Sequence, residues 1–428
     1  MWRPTHSWRS AQPDGPEPVS AAQRRGTAAA ALANREFRLV YIGSLLSNVG
    51  TWMQNVVLPA FVYTRTDSAS LVGLMIVAQL GPLFVLAIPA GAIADRVDRR
   101  RWIVTMQMVQ LGFSAIIGVL ALGDPSFSAV FLAALGVGIG NALTAPAWSA
   151  LVPSLVGRED MPGAISLNSF AINGSRVIGP IVVAGLSAWG LEASAFFFIN
   201  AVTYLFVVVA LLNVHVPKAV PDSTRGVQRL TVGFRVARDQ REVGMLLFGI
   251  SSFSLLSLPY VGLFPAVARL NFGIDEASST YKWLYATWGF GAALGGLAIG
   301  TVMHGRDARR LIRAGFAGFA AALAAFAVVR TPAPAFVAGF ALGFFYFFTT
   351  TSMLTVLQSR LDERVRARVM SLWIMGFGGT VPFGNVIFGP VMDRWGAPLV
   401  LFIGSGWALL LAWWCDVARV DRRAERRR

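Results

Sequence analysis

The sequence predicts an all-α membrane protein with twelve transmembrane helices in two pseudo-symmetric six-helix bundles. Three observations support this fold class: the composition, the length of the apolar segments and a weak internal repeat. Of the 428 residues, 55% are hydrophobic and only 14% are charged, and the mean hydropathy is +0.59. Soluble domains carry about 25% charged residues, so this composition is typical of a membrane protein.

Apolar segments long enough to cross a bilayer recur along the whole chain. A transmembrane helix needs about 20 mostly apolar residues, and twelve segments meet this condition. We expect spans near residues 39–63, 70–93, 102–122, 127–149, 163–187, 192–213, 243–267, 281–303, 311–329, 333–357, 368–392 and 397–417.

Lysine and arginine are concentrated on one side of this arrangement. With twelve spans, 31 of the 37 basic residues fall in the tails and in the loops on the N-terminal side, whereas five fall in the opposite loops. Since basic loops stay in the cytoplasm, we expect both termini to be cytoplasmic. The net charge of +15 is carried by these short clusters, so membrane lipids are the expected partners and nucleic acid is not.

The span positions divide the chain into five parts. We expect a disordered cytoplasmic tail, a first six-helix bundle, a cytoplasmic linker, a second six-helix bundle and a basic tail, at residues 1–34, 35–213, 214–242, 243–418 and 419–428. In the linker, apolar and basic residues alternate at helical spacing, which predicts an amphipathic helix on the inner leaflet; a solvated linker helix is the alternative. The residues concerned are Val227, Leu230 and Phe234 with Arg229, Arg235 and Arg238.

The two halves repeat each other weakly. A shift of 209 positions lays GAIADRVDRRR, residues 91–101, over GTVMHGRDARR, residues 300–310, and each stretch follows the second span of its half. Further on, ISL at 165–167 corresponds to MSL at 370–372, and AWG at 188–190 corresponds to RWG at 394–396. Matches in the same order support a duplication of six helices.

Three stretches resemble motifs of one known family. GAIADRVDRRR resembles the signature loop between helices two and three of the major facilitator superfamily. Residues 141–168, NALTAPAWSALVPSLVGREDMPGAISLN, resemble its prokaryotic efflux branch, which includes siderophore and macrolide exporters, and residues 175–185, SRVIGPIVVAG, resemble its antiporter motif. The resemblance covers residues 35–420. It implies a bacterial inner-membrane transporter that exports a bulky amphipathic small molecule, such as a drug, siderophore or secondary metabolite, by alternating access.

The resemblance assigns a gate to the loop after the second span. In the family, the aspartate at the position of Asp95 helps to hold the cytoplasmic side closed, next to a basic residue that corresponds to Arg96. Gly91 is expected to let two helices approach closely. The second repeat has His304 where the first has Asp95, so we expect the gate in the first half.

The remaining charges of this loop have simpler expected roles. Asp98 and its repeat Asp307 are expected to cap or pair within their own loops. Arg99, Arg100 and Arg101 are expected to bind lipid phosphates. A purely topological role is the alternative for the last two arginines.

Span five carries the antiporter-like motif and a single charge. Gly179 and Pro180 together should bend the helix or allow close packing. Arg176 is the only ionisable residue deep within any predicted span. A central arginine costs about 2.5 to 3.5 kcal/mol on insertion scales, so we expect Arg176 to face a central cavity or a polar partner, with a structural role as the alternative.

Polar residues in span one form a stripe on one helix face. Ser44, Asn48, Thr51 and Asn55 follow helical spacing, and Gln54 borders them. Such a stripe cannot face lipid, so we expect it to line a substrate cavity. Other cavity candidates are Asn168, Asn173, Tyr285, Trp288, Tyr346, Trp373 and Asn385. Aromatic residues with few charges suit a bulky amphipathic substrate, although each of them can serve in packing instead.

The energy source is implied by the resemblance and not by the residues. Proton antiport is the family expectation, but every Asp and Glu lies in a loop, in a tail or near the end of a predicted span. The sequence lacks a GxxxxGK[ST] phosphate-binding motif, so direct ATP drive is not expected. We expect no cofactor, no bound metal and a monomer.

Other classes of function make different demands on the sequence. A lipid or lysophospholipid transporter of the same fold is the alternative within the class and would need a cavity that opens sideways to the bilayer. A membrane enzyme would need clustered His, Asp or Cys at membrane depth, whereas all three histidines lie in tails or loops. A sensor or scaffold would not need the polar stripe in span one.

Overall fold

The computed structural model describes residues 26–94, 96–215, 226–301 and 306–415. Over these ranges the chain forms helices and no β-strand. In chain order the helices are α1 (Ala28–Ala33), α2 (Arg35–Thr66), α3 (Ala69–Ala94), α4 (Arg99–Leu120), α5 (Phe127–Ser154), α6 (Met161–Ala188), α7 (Ala193–Leu212), α8 (Gly226–Asp239), α9 (Arg241–Leu256), α10 (Pro259–Gly262), α11 (Phe264–Phe272), α12 (Ser279–Gly300), α13 (Ala308–Val328), α14 (Pro332–Ser359), α15 (Glu363–Phe377), α16 (Val381–Trp395) and α17 (Ala397–Trp414).

Within the described ranges, nine segments are long and apolar enough to cross a membrane. They are α3 to α7, α13, α14, the pair α15 and α16, and α17. The other predicted spans, 39–63, 243–267 and 281–303, coincide with α2, with α9 to α11, and with α12. The polar residues of α2 and the tyrosines, tryptophans and glycines of α12 lower the hydropathy of those two helices. In the seventh span the breaks shorten the longest helix, α9, to 16 residues. The architecture is the all-α membrane fold that the composition predicts.

The seventh predicted span is divided into three short helices. α9 ends at Leu256, Pro259 begins α10, and Pro265 lies in the first turn of α11. Proline is tolerated in a first helical turn, where an N–H has no intrahelical partner. The break places Tyr260 where its hydroxyl accepts the indole N–H of Trp288 over 3.1 Å.

Glycines bring the backbones of α12 and α14 into contact. A Cβ added to Gly343 would lie 1.9 Å from the Trp288 carbonyl oxygen, and one added to Gly295 would lie 2.0 Å from that of Phe344. Small residues permit such close approach in membranes, where packing holds helices together. The pair therefore forms a tightly packed support for the aromatic side chains that α12 and α14 carry.

The end of the predicted N-terminal tail is ordered, contrary to the prediction for residues 1–34. The Gly26 N–H donates to Asp160 Oδ1 over 3.1 Å, and Ala31 is fully buried. Asn34 caps α2 by accepting the backbone N–H groups of Glu36 and Phe37. The six-residue α1 has no apolar periodicity to predict it, because tertiary contacts at the start of α6 hold it. Residues 1–25 and the predicted basic tail lie outside the described residues.

The linker contains the predicted helix, which is α8 in the structure. A Cβ added to Gly233 would lie 2.9 Å from the Arg368 carbonyl oxygen, so α8 packs on α15 of the second half. Phe234 is 62% exposed, as a residue that enters a membrane surface would be. The side chains of Val227, Arg229 and Leu230 lie outside the described residues, so the amphipathic membrane contact stays a prediction.

Candidate functional site

The two halves meet along two helix pairs, α3 with α16 and α6 with α12. We call the side on which α2 begins the tail side, and the side on which α3 begins the far side. A Cβ added to Gly389 near the end of α16 would lie 2.8 Å from Ser70 Cα at the start of α3. Deeper in the pair, the rings of Phe84 and Phe383 meet edge to face at 5.6 Å. Contact between the halves therefore extends inward from the far side.

An acidic side chain of α16 joins the two halves at the far side. Asp393 Oδ1 accepts the Ala69 N–H over 2.6 Å, and Oδ2 accepts the Ser70 N–H over 2.9 Å and the Ser68 hydroxyl over 3.1 Å. The Ser70 hydroxyl also donates to Oδ2. These donors lie at the first turn of α3, where N–H groups lack helical partners and the helix dipole is positive. We call this contact, in which the second half caps a helix of the first, the far-side cap.

The motif loop on the tail side is held by local contacts. Asp98 accepts the Arg101 N–H over 2.9 Å, and Asp307 accepts the Arg309 N–H over 3.0 Å. Each aspartate therefore caps the helix that follows it, as predicted. Arg100 makes a contact within the protein, since its Nη2 donates to the Leu212 carbonyl over 2.7 Å at the C-terminal end of α7; its binding to lipid phosphates stays a prediction. A cation at that end satisfies a free carbonyl and faces the negative end of the dipole.

The predicted gate itself is only partly described. Asp95 and its counterpart His304 lie outside the described residues, so the gating role stays a prediction. A Cβ on Gly91 would meet no atom within 4 Å, so the predicted close helix approach is not formed in this conformation. Arg96 is exposed, and the half-buried Arg99 has an Nε atom without a hydrogen-bond partner.

Arg176 lies where the two halves meet at mid-span. Its guanidinium carbon is 5.0 Å from the ring centre of Trp52 on α2 and 5.1 Å from that of Phe347 on α14. The two rings come from opposite halves, so α6 holds the cation between them. A Cβ added to Gly289 of α12 would lie 3.0 Å from the Arg176 carbonyl oxygen. Helices of both halves therefore surround this arginine, and the predicted orientation toward a central cavity or a polar partner stays a prediction.

An aromatic cluster of the second half adjoins Arg176. Trp288 contacts Tyr285 at 5.2 Å and stacks on Tyr346 at 5.9 Å, measured between ring centres. Tyr346 in turn contacts Phe347, the ring under Arg176, at 4.7 Å. Trp373 joins the cluster through Phe377, which lies 6.3 Å from Trp373 and 6.2 Å from Tyr346. The structure thus brings together four of the predicted cavity residues, Tyr285, Trp288, Tyr346 and Trp373, each at most 7% exposed.

The polar stripe of α2 is divided between two environments. Gln54 is buried in the first half, where its Oε1 accepts from Ser114 over 2.9 Å and from Asn200 over 2.8 Å. Ser44 is also buried and accepts from Asn48 over 3.2 Å. These contacts use the polar groups for packing within the first half.

The remaining stripe residues are more accessible. Thr51 and Asn55 are half-buried. The Asn55 side-chain oxygen accepts from Gln79 of α3 over 3.4 Å, and the Thr51 hydroxyl donates to the Ser47 carbonyl within α2. Trp52, which the stripe pattern does not include, is the α2 residue that reaches Arg176.

The other predicted positions differ in accessibility. Asn173 is exposed, Asn168 is half-buried, and Asn385 is fully buried with an Oδ1 atom that has no hydrogen-bond partner. Gly179 and Pro180 are buried, and a Cβ on the glycine would lie 2.7 Å from Trp52 Cβ. Of the two predicted outcomes for this motif, close helix packing is the one that the structure forms.

A cavity of about 340 Å³ lies at the far side between the halves. Its lining includes three residues that carry a buried polar atom without a hydrogen-bond partner, Ser187, Glu276 and Tyr281. Basic side chains of both halves, Arg65 and Lys282, line it as well. Within the described ranges, no group of three or more His, Cys, Asp or Glu side chains is arranged to hold a metal ion.

Sequence reasoning missed Trp52 and Asp393 as site residues, and it named Phe347 only as part of the aromatic run FFYFFTTTS, residues 344–352. The two rings are ordinary apolar residues in span one and span ten until the fold brings them to Arg176. Asp393 contacts Ala69 from 324 positions away in the chain, and only its place at the end of an apolar span indicates that it lies at a membrane surface. The first half has no acidic residue at the corresponding position of the repeat that would have singled out Asp393.

Comparison with known proteins identifies a family model and several relatives that match this chain. A family model described as transmembrane secretion effector matches residues 26–423. The enterobactin exporter EntS of Shigella boydii serotype 4 (strain Sb227) is 27% identical over 342 residues, which cover 79% of this chain and 80% of that protein. EntS of Escherichia coli O81 (strain ED1a) matches over the same length with the same identity.

Several solved structures share the fold at low sequence identity. A mutant of the nucleoside transporter NupG has a TM-score of 0.73 at 12% identity, covering 89% of this chain and 99% of its own. A bacterial homolog of the human lysosomal transporter Spinster, inward-facing and unoccupied, has a TM-score of 0.69 at 16% identity, covering 90% and 97%. The POT family transporter PepTSo has a TM-score of 0.70 at 14% identity, covering 91% and 99%.

Proposed function

Because the chain belongs to the transmembrane secretion effector family of the major facilitator superfamily, we propose that it exports a bulky amphipathic small molecule by alternating access. It is a multi-pass membrane transporter of a small molecule and not an enzyme. The observation that carries the proposal is the position of Arg176 between Trp52 and Phe347. A substrate bound there touches both halves, so movement of the halves changes its exposure.

The moving parts in this proposal are the bundles at residues 35–213 and 243–418. They rock about the contact of α6 with α12, where Arg176 lies at mid-span. The far-side cap of Asp393 on α3 holds the far side shut while the substrate enters from the tail side. Asp95 at the opposite end of α3 closes the tail side in the alternate state. The distribution of basic residues supports a cytoplasmic tail side, with both termini in the cytoplasm of a bacterium.

Several residues have proposed roles in substrate contact. The aromatic cluster of Tyr285, Trp288, Tyr346 and Trp373 provides an apolar wall beside Arg176, and Thr51 and Asn55 add polar groups on the first half. A bulky amphipathic substrate fits such a mixture of large aromatic surface and few charges. The similarity to EntS, whose name states that it exports enterobactin, supports siderophores as one substrate class to test.

Protons are the proposed coupling ion. Export against a gradient needs an energy source, and the sequence has no phosphate-binding motif for ATP. The far-side cavity contains Glu276, which is 4% exposed and has an oxygen without a hydrogen-bond partner. An acid at the interface of the halves is placed where movement changes its access to water.

Transport from vesicles tests the proposed function. The full chain is reconstituted, and export of a siderophore, a macrolide and a lysophospholipid is measured with and without an imposed pH gradient. We expect transport of a siderophore or macrolide that increases with the gradient. Transport of the lysophospholipid alone would replace the proposal with lipid transport, and no transport under either condition would contradict it.

A further inference from the structure

Arg176 is a cation at the centre of the protein, and the described residues provide no anionic partner for it. Throughout the described ranges, no carboxylate lies within ion-pair distance of it, and its Nε atom is buried without a hydrogen-bond partner. Tyr285 and Tyr346 of the adjoining aromatic cluster lie close enough to Arg176 to interact with it electrostatically. Buried charges in proteins are normally paired with an opposite charge. Among the described residues, this guanidinium has no such anionic partner.

The two aromatic rings compensate the charge only in part. Trp52 and Phe347 each present a ring face at about 5 Å, within the range of a cation–π contact. A ring face attracts the cation, yet it accepts none of the five N–H donors of a guanidinium. The donors of Arg176 therefore remain available, in surroundings of low polarity that strengthen any charge pair formed there.

The site is accessible to a ligand. Arg176, Trp52 and Phe347 are each half-buried, although the Nε atom is fully enclosed. Each of these three residues therefore keeps part of its surface exposed where the halves meet. A planar guanidinium matches the two oxygens of a carboxylate, sulfonate or phosphate, and the rings beside it match an apolar or aromatic body.

We propose that Arg176 binds the anionic group of the exported molecule, so that the substrate is an organic anion with a large apolar or aromatic body. This inference rests on the proposed transport function and specifies its substrate class. The aromatic cluster beside Arg176 holds the body, and the tyrosine hydroxyls of residues 285 and 346 donate to the anion.

Two xanthene dyes of opposite charge test the charge preference. The purified full chain in lipid nanodiscs is titrated with carboxyfluorescein, an anion, and with tetramethylrhodamine methyl ester, a cation. We expect the anion to bind at least about tenfold more tightly, and the Arg176→Met variant to lose this preference while the cation is unaffected. Arg176→Lys should retain part of it. Equal binding of both dyes to the native chain, or an unchanged preference in Arg176→Met, would overturn the proposal.

A matched control is available on α16. Arg394 also lies over a tryptophan, with its guanidinium carbon 5.1 Å from the ring centre of Trp395, but both residues are exposed at the far side. Arg394→Met removes the same cation–π contact away from the site. It should leave the preference for carboxyfluorescein unchanged. An equal loss of this preference in both variants would show that the effect comes from the net charge of the protein and not from the site at Arg176.

Thermal unfolding provides a readout that needs no substrate. If Arg176 serves to bind an anionic substrate, Arg176→Met should raise the melting temperature of the protein without substrate. Methionine keeps contact with both rings and removes the unpaired charge. The variant should also lose the stabilisation that carboxyfluorescein gives the native chain. A fall in melting temperature with stabilisation by the dye retained would show that Arg176 is structural. Both measurements use binding alone, so failure of the vesicle transport assay would affect only the proposed function.

Discussion

At the residue scale, the far-side cap depends on one side chain. Asp393 joins the halves through backbone N–H groups of Ala69 and Ser70 and two serine hydroxyls. Its carboxylate is solvent-exposed, so water and salt weaken each contact. A contact of modest strength suits the proposed gate, because the proposed transport cycle breaks it once in every turnover.

Replacing Asp393 with asparagine should shift the protein toward a state that is open at the far side. The amide keeps one oxygen acceptor and loses the charge that interacts with the α3 dipole, so we expect a population change of about two- to fivefold. Distances between spin labels on the far-side ends of α3 and α16 would report it, in a background where the sole cysteine, Cys415, is serine.

Asp124 offers a matched control for this variant. It lies on the same side and pairs with Arg65, which belongs to the same half. Asp124→Asn should leave the distance distribution unchanged. If Asp393→Asn also leaves it unchanged, the cap does not hold the far side closed.

Gln54 shows how far residue type predicts a role. Its polarity in span one excluded contact with lipid, and it was predicted to line a substrate cavity. Only the fold shows that its partners are Ser114 and Asn200 within the same half. Arg100 is similar, because its charge indicated the tail side while its partner, the Leu212 carbonyl, lies on another helix.

Gln54→Leu should destabilise the protein by about 1 to 3 kcal/mol, because it removes the acceptor shared by two buried donors. Thermal unfolding in detergent would measure the loss. Thr64→Val is the control, since the Thr64 hydroxyl bonds only to the Ala60 carbonyl of its own helix. A normal melting temperature combined with loss of substrate binding would instead place Gln54 in the substrate site.

At the element scale, hydropathy predicted where the spans lie along the chain better than where a span is divided into shorter helices. Apolar length gave the spans that α3 to α7, α13 and α14 occupy. It did not predict the division of span seven, although Pro259 and Pro265 carry the local signal for it. The short helix α1 carried no signal, because contacts with residues more than 100 positions away hold it.

The contact of α12 with α14 should be intolerant of added volume. Gly343→Ala would place a methyl group against the Trp288 carbonyl, and overpacking of this kind costs about 1 to 3 kcal/mol. We expect a lower melting temperature and weaker binding at the adjoining aromatic cluster. Gly112→Ala is the control, because a Cβ there meets no atom within 4 Å; equal effects of both changes would contradict the packing argument.

At the scale of the whole molecule, the fold and the general class of function were predictable from the sequence. The motif at residues 91–101 and its repeat indicated the duplicated six-helix plan of the major facilitator superfamily. The comparisons place the chain in this superfamily. The arrangement between the halves was not predictable, because it depends on contacts between positions far apart in the chain. Arg176 was singled out as an isolated charge, while its two ring partners came only from the structure.

The central claim is that the halves alternate about a shared site and that the far side is closed in the present state. Cross-linking across the far-side contact tests it most directly. Ser70→Cys and Asp393→Cys, in the Cys415→Ser background, place two thiols at positions whose side chains contact each other across the halves. We predict that the disulfide abolishes export, that carboxyfluorescein still binds from the tail side, and that reduction restores export. Export at the native rate by the fully cross-linked protein would contradict the account.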